Sequence, residues 1–346
     1  MCHPQKLLIR ATNWVGDAVM SLPALRLVRA RFPDAHISVL ARPWVADLYD
    51  RESWLNEVIP YTPAPGCTDL TAKWRAARSL AHNHFDTALL LPNSFESAAI
   101  AFLARIPNRI GYSRDGRGTL LTRALAVPKP GEMPAHETFY YLELIRRAGW
   151  LDALPSEAPP YLEGVDEARH AGGALLVSQG LAGDVLGLSP GAAFGTAKRW
   201  YPERFAAAAI ETATARDMCV ALFGSTTERA LCEQVRSALA GHVRAVHNFA
   251  GETSLRQFID AAAACRLFLT NDSGAMHIAY ATGVPTVTVF GPTDHIGTGP
   301  VGDHTRIVRH PVECSPCKLR ECPIDHRCMK GVDASRVALT ALELLK

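Results

Sequence analysis

The chain has 346 residues, more than a single hydrophobic core usually contains, so we expect two domains. Its composition, 48% hydrophobic and 20% charged, excludes a disordered or fibrous protein. The formal net charge of +2 provides no overall field for nucleic acid, and no apolar stretch is long enough for a signal peptide or a membrane span. These features predict a cytoplasmic enzyme that does not bind nucleic acid.

In the first half, apolar runs of strand length alternate with helical patterns. The runs are KLLIRA (6–11), HISVLA (36–41), EVIPY (57–61) and TALLLP (87–92), and the helical patterns include LPALRLVRARF (22–32) and LTAKWRAARSLAHN (70–83). This alternation predicts a parallel sheet with helices on both faces.

The same alternation begins again after the proline-rich segment ALPSEAPPYL (153–162). Its runs are VLGLSPG (185–191), MCVALFG (218–224), VRAVHNFAG (243–251), CRLFLTND (265–272) and PTVTVFG (285–291). We therefore expect an α/β protein of two doubly wound parallel-sheet domains, residues 1–165 and 166–346. A ligand is expected in a cleft between them, where the strand carboxyl ends face. A closing helix is predicted over 334–346, with Asp333 or Ser335 as its N-cap.

The segment NWVGDAVM (13–20) places Asp17 directly after Gly16, where the first strand passes into the first helix. The carboxylate either caps this helix or faces a crevice and takes part in chemistry. The segment has neither a G-x-G-x-x-G fingerprint nor a Walker A sequence, which argues against a nicotinamide dinucleotide.

Three turns at predicted strand ends in the second half have features of an anion site. LSPGAAFGTAK (188–198) has small residues that let backbone amides approach a phosphate, with a lysine to supply charge. ALFGSTTE (221–228) ends in a carboxylate able to reach a ribose hydroxyl, and NDSGAMH (271–277) starts a helix whose free amides attract anions. The candidate residues are Ser189, Gly191, Lys198, Gly224, Glu228, Asp272, Ser273, Gly274 and His277. The alternatives are a solvated loop lysine, a carboxylate favoured by a helix dipole, an ordinary N-cap and a packed histidine.

Four cysteines are bunched in CSPCKLRECPIDHRC (314–328), at Cys314, Cys317, Cys322 and Cys328. In a reducing compartment such density is more typical of a site for zinc or another thiophilic metal than of disulfides, and free packed thiols are the default against which the metal hypothesis stands. The other five cysteines, Cys2, Cys67, Cys219, Cys232 and Cys265, are scattered as expected for reduced thiols.

Taken together and in order, four segments resemble the motifs of the bacterial lipopolysaccharide heptosyltransferases. They are NWVGDAVMSLPALRLVRARFP, LSPGAAFGTAKRWYPERF, FGSTTE and NDSGAMHIAYATGVPTVTVFGPTD. The first heptosyltransferase carries threonines a few residues before its lysine, whereas this loop reads GAAFGTAK, and the difference favours the branch of the second enzyme. The resemblance implies a GT-B fold of two Rossmann-like domains, with the acceptor on the first, ADP-heptose on the second, and a last helix that packs back on the first.

The resemblance also implies roles for residues. Asp17 would be the base of an inverting transfer, with Gly16 beside the nucleotide sugar, and Lys198 with the Ser273 and Gly274 amides would stabilise the departing ADP. Glu228 would bind the ribose. No cofactor is required, although Mg²⁺ assistance and a structural zinc remain open.

The implied acceptor is the anionic core Kdo-lipid A carrying one heptose, met at the cytoplasmic face of the inner membrane. The segment RIPNRIGYSRDGRGTLLTRAL (105–125) is rich in arginine and glycine, which predicts a mobile loop that binds its phosphates, or alternatively a solvated basic loop. The candidate acceptor residues are Arg114, Arg117, Arg123 and His136. The competing functions are another heptosyltransferase, a nucleotide-sugar epimerase, and a non-catalytic nucleotide- or metal-binding protein.

Overall fold

A computed structural model describes residues 3–62 and 68–346, so Cys2 and Cys67 lie outside the described residues. The chain divides into a first unit, Met1–Glu163, and a second unit, Gly164–Lys346. The sequence placed this boundary two residues later, between 165 and 166. Each unit is built on its own parallel sheet.

The first unit contains a six-stranded parallel sheet in the order β3-β2-β1-β4-β5-β6. Its strands are β1 (Lys6–Arg10), β2 (His36–Ala41), β3 (Glu57–Pro60), β4 (Thr87–Leu90), β5 (Asn108–Tyr112) and β6 (Arg123–Leu125). Its helices are α1 (Val15–Arg31), α2 (Pro43–Ala46), α3 (Thr68–His82), α4 (Phe95–Leu103) and α5 (Thr138–Arg147). Strands β1 to β3 are added toward one edge of the sheet and β4 to β6 toward the other, so the strand order reverses between β1 and β4. These two strands are parallel neighbours, with Leu7 opposite Thr87.

The second unit repeats this topology in the order β12-β11-β10-β7-β8-β9. Its strands are β7 (Val185–Ser189), β8 (Cys219–Leu222), β9 (Val246–Asn248), β10 (Leu267–Asn271), β11 (Thr286–Phe290) and β12 (Thr305–Arg309). Its helices are α6 (Val165–Ser178), α7 (Pro202–Ala215), α8 (Arg229–Leu239), α9 (Leu255–Ala264), α10 (Gly274–Ala281), α11 (Arg327–Lys330) and α12 (Ala334–Glu343). The reversal here lies between β7 and β10. The predicted class, α/β with two Rossmann-like doubly wound sheets, is therefore confirmed.

Local sequence explains how the second unit holds together. Pro202 opens α7, a favourable place because a proline at the first helical position loses no hydrogen bond. Gly172 lets α6 lie against α9, since a Cβ there would be 1.8 Å from the Asp260 carbonyl oxygen. Asp333 caps α12 by accepting a 3.2 Å hydrogen bond from the Arg336 amide, as predicted, and α12 packs on α7. The predicted packing of this last helix on the first domain stays a prediction.

The arginine-rich segment 105–125 is not the mobile loop that the sequence predicts. It contains β5 and β6, which pair in parallel, and a 3₁₀ turn over Arg117–Leu120 between them. None of the helices in the described residues is long and apolar enough to span a membrane.

Candidate active site

The carboxyl ends of β7 and β10 meet at the point where the second sheet reverses, which is where doubly wound sheets bind ligands. Asn271, the last residue of β10, is fully buried and ties the two ends together. Its Nδ2 donates to the Pro190 carbonyl at 2.7 Å, and its Oδ1 accepts from the Trp200 amide at 3.0 Å. Asn271 therefore fixes both ends of the loop 190–200. It was not among the candidate residues predicted from the sequence, although its place at the end of a buried strand was a usable signal.

An ion pair joins two of the predicted turns. Lys198 Nζ lies 2.6 Å from Asp272 Oδ2, and their side chains are only 15% and 5% exposed. The same oxygen accepts a 2.5 Å hydrogen bond from the Thr293 hydroxyl, which follows β11. Residues from three separate segments thus converge on one carboxylate. This contact joins NDSG (271–274) to GPTD (291–294), two turns that follow neighbouring strands of the second sheet.

The third predicted turn lies against the first. Glu228 is buried, and a Cβ added at Gly191 would be 2.1 Å from its Oε1, so only glycine fits beneath this carboxylate. Glu228 Oε2 accepts hydrogen bonds of 2.8 Å from the Ser225 amide and hydroxyl. The carboxylate thus completes a helix cap with one oxygen and faces the loop 190–198 with the other. Gly224 is crowded as well, since a Cβ there would be 3.2 Å from Cys232 Sγ.

Helix α10 begins beside this group. Ser273 is its N-cap residue, yet the Ser273 side chain forms no cap hydrogen bond and instead contacts the Thr270 hydroxyl at 3.3 Å. The alternative that Asp272 or Ser273 serves as an ordinary side-chain cap is therefore not what the structure shows. His277 is 4% exposed, and its Nδ1 lies 3.3 Å from the Tyr280 hydroxyl, which places it in the packing of α10. Contact between His277 and the nucleotide sugar stays a prediction.

In the first unit, Asp17 lies in the first turn of α1, at the third helical position after Val15 and Gly16. The N-cap residue is Trp14, whose side chain forms no cap hydrogen bond, so Asp17 does not occupy the cap position. Asp17 is half-buried. Burial, and next the charge of Asp17, hold the pKa of Tyr141 of α5 well above its ordinary value. Asp17 is thus a charged group at the carboxyl end of β1, at the reversal of the first sheet.

Two buried arginines lie at the same edge and were not predicted from the sequence. Arg10 and Arg42, which are 3% and 5% exposed, both donate to Asn13 Oδ1, at 2.8 and 3.3 Å. Arg42 also pairs with Glu96 at 3.0 Å. Burial, and next the charge of Arg42, lower the pKa of Arg10 to about 10. This network holds the segment that precedes Asp17.

The predicted acceptor arginines do not share one environment. Arg117 is fully buried, and its guanidinium donates to the Tyr112 carbonyl at 2.9 Å, to the Ser97 hydroxyl at 2.8 Å and to the Pro92 carbonyl. The prediction that Arg117 contacts the acceptor is wrong, because its guanidinium N–H groups are buried and donate to groups within the first unit.

The other predicted acceptor residues are accessible. Arg114 is exposed. Burial raises the pKa of Tyr140 of α5, and the charge of Arg114 offsets part of this rise. Arg123 is an exposed strand residue of β6. His136 precedes α5 and accepts a 3.3 Å hydrogen bond from the Thr138 amide through Nδ1. Their roles in acceptor binding stay predictions.

Three of the four bunched cysteines lie in the segment between β12 and α11, and Cys328 lies in α11 itself. Cys314 and Cys317 are exposed, Cys322 is half-buried and Cys328 is buried, and all four are free thiols. In residues 3–62 and 68–346, no three His, Cys, Asp or Glu side chains are arranged to hold a metal ion. The predicted metal site is therefore not assembled in this arrangement, and metal binding there stays a prediction.

Comparison with known proteins identifies the family to which the chain belongs. The family model for glycosyltransferase family 9 (heptosyltransferase) matches residues 73–327. The chain belongs to this family. It is therefore a glycosyltransferase, as predicted, and the alternatives of an epimerase and of a non-catalytic binding protein are not favoured.

Individual relatives agree with the family. The chain is 34% identical over 308 residues to lipopolysaccharide heptosyltransferase 2 of Salmonella typhimurium, and 33% identical over 309 residues to that of Escherichia coli, covering 88% of both chains in each case. A solved structure of E. coli ADP-heptose LPS heptosyltransferase II superposes with a TM-score of 0.82 at 29% identity, over 98% of each chain. The predicted resemblance to the branch of the second enzyme is confirmed.

Proposed function

We propose that this family 9 glycosyltransferase moves L-glycero-D-manno-heptose from ADP-heptose to the first heptose of the Kdo-lipid A inner core, with inversion. The observation that carries the donor assignment is the convergence of Lys198, Asp272 and Thr293 at the reversal of the second sheet. A lysine beside a helix start whose N-cap side chain is not used for capping suits a diphosphate.

In this proposal each feature of the second unit has a task. The Lys198 ammonium and the first amides of α10, at Ser273 and Gly274, bind the diphosphate and stabilise its charge as it leaves. The Glu228 oxygen above Gly191 accepts a hydrogen bond from a ribose hydroxyl, since its other oxygen is already used by Ser225. We expect these groups to suffice without a cofactor, and transfer by enzyme treated with EDTA tests that expectation.

The first unit supplies the base. The acceptor hydroxyl oxygen attacks the anomeric carbon while the bond from that carbon to the ADP oxygen breaks, and the Asp17 carboxylate takes the hydroxyl proton. ADP leaves with the bonding electrons, so one displacement inverts the anomeric centre. The buried Arg10 and Arg42 favour the ionised form of nearby carboxylates and of an anionic acceptor.

We further propose that Arg114, Arg123 and His136 bind the charged acceptor, and that the enzyme meets this lipid at the cytoplasmic face of the inner membrane. The support is the accessibility of these cationic or polar groups on the first unit. Co-sedimentation with vesicles that contain the acceptor, compared with neutral phosphatidylcholine vesicles, tests the membrane part.

The transfer itself is tested by incubating the purified chain with ADP-heptose and either heptose-free or singly heptosylated Kdo-lipid A. We expect only the heptosylated acceptor to gain the mass of one heptose, with the anomeric configuration opposite to that of the donor by NMR. Modification of only the heptose-free acceptor would instead identify the first heptosyltransferase. Isomerisation of ADP-heptose without any acceptor would identify an epimerase.

A further inference from the structure

The cysteine segment, residues 314–328, packs on the loop that contains Lys198. The Arg320 carbonyl accepts a 3.0 Å hydrogen bond from the Ala197 amide, and His326 Nε2 donates to the Ala197 carbonyl at 2.7 Å. Gly195 makes room for this contact, because a Cβ there would be 2.2 Å from the Arg320 carbonyl oxygen. The segment is therefore fixed to the loop by its backbone at the residue before Lys198.

A second set of contacts fixes the same segment to the loop after β11. The Lys318 amide donates to the Pro292 carbonyl at 2.8 Å, and the Ser315 hydroxyl donates to the Gly291 carbonyl at 2.5 Å. Pro292 directly precedes Thr293, which is bonded to Asp272. The cysteine segment thus connects the two loops that flank the Lys198–Asp272 pair.

This anchoring brings a second cation to the candidate diphosphate site. The Arg320 guanidinium carbon lies 5.2 Å from the centre of the Phe194 ring, and Lys198 Nζ lies 5.0 Å from the centre of the same ring. Arg320 is exposed, and it forms no salt bridge with any residue that the structure describes. Its charge is available to a ligand, whereas the charge of Lys198 is offset by Asp272.

We propose that the cysteine segment positions Arg320 as a second cation for the diphosphate of the donor. The proposal rests on the proposed function, which supplies the nucleoside diphosphate. A diphosphate carries more negative charge than a lysine already paired with an aspartate can balance, and a planar guanidinium binds phosphate oxygens through two parallel hydrogen bonds. The backbone contacts at Gly195 and Ala197 hold Arg320 in position. The cysteine segment therefore contributes to donor binding both through these backbone contacts and through the arginine side chain.

Calorimetric titration with ADP and with adenosine tests this role. Arg320→Ala should weaken ADP binding about 10-fold, leave adenosine binding unchanged and flatten the dependence of ADP affinity on salt. Arg320→Lys should recover part of the loss. Lys330→Ala, which removes one positive charge from an exposed position on α11, is the matched control and should bind ADP like the wild type.

A second variant tests the backbone anchoring. Gly195→Ala should lower ADP affinity to a similar extent, and it should add little in the Arg320→Ala background, because the displaced arginine is then already absent. If Arg320→Ala binds ADP as tightly as the wild type while Lys198→Ala does not, the inference about Arg320 is overturned and the proposed function stands. If the wild type does not bind ADP, the proposed donor is wrong and the inference fails with it.

Discussion

Lys198 Nζ lies 2.6 Å from Asp272 Oδ2, in an ion pair that is largely withdrawn from water. The same aspartate oxygen also accepts a hydrogen bond from the Thr293 hydroxyl. Because a buried carboxylate that loses its cation is costly, Lys198 has a part in the stability of the second unit as well as its proposed part in donor binding. The two parts are separable by experiment.

Lys198→Ala is expected to lower the free energy of unfolding by about 3 kcal/mol, because Asp272 then stays buried without its partner. It should also weaken ADP binding by about 10- to 100-fold, the range for losing a hydrogen bond to a charged group. Denaturant unfolding measures the first effect and calorimetry with ADP the second.

The double variant Lys198→Ala, Asp272→Asn separates the two effects. Asparagine retains a neutral partner for Thr293, so we expect most of the stability to return while ADP affinity stays low. Recovery of ADP affinity together with stability would show that Lys198 acts only through the fold.

Gly191→Ala is expected to destabilise the second unit by about 1–3 kcal/mol, because its Cβ would meet Glu228 Oε1 at 2.1 Å. The same change should be nearly neutral in a Glu228→Ala background, where the clashing carboxylate is absent. Unfolding free energies of the two single variants and the double variant measure this coupling. Additive effects would contradict the contact between the two turns.

Two arginines three residues apart should behave in opposite ways. Arg114→Ala is expected to raise the acceptor KM several-fold, more so at low salt, and to leave ADP affinity unchanged, because Arg114 is exposed on the first unit. Arg117→Ala should instead lower the unfolding free energy by about 3 kcal/mol or more, because several buried acceptors lose their donor. Steady-state kinetics and denaturant unfolding of both variants test the contrast, and a stable Arg117→Ala protein with a raised acceptor KM would reverse our assignment.

The sequence predicted both sheets because their central strands are continuous apolar runs. It missed β5, β6 and β12, since these strands are rich in arginine and lie towards or at a sheet edge, where half-exposed positions do not give a buried pattern. The same arginine content led to the prediction of a mobile basic loop over 105–125. Charge alone did not distinguish Arg117, a buried structural donor, from Arg114.

The candidate site was predictable as three turns at strand ends, because parallel strands bring their carboxyl ends to one edge. The exact pairings were not, since they depend on side chains that meet only in the tertiary fold: Asn271 with the loop 190–200, and Glu228 above Gly191. The cysteine spacing drew attention to the thiols of residues 314–328. It gave no indication that the backbone of Arg320 is hydrogen-bonded beside Lys198.

The proposed role of Asp17 as the base of a sugar transfer is tested most directly by the variant Asp17→Asn. Asparagine preserves the shape of the side chain, and Trp14 rather than Asp17 occupies the N-cap of α1, so melting temperature and ADP affinity should not change. The initial rate of heptose transfer from ADP-heptose to singly heptosylated Kdo-lipid A, measured by product mass, should fall by about 10² or more because the proton has no acceptor. Transfer by the Asp17→Asn variant at close to the wild-type rate would contradict this role.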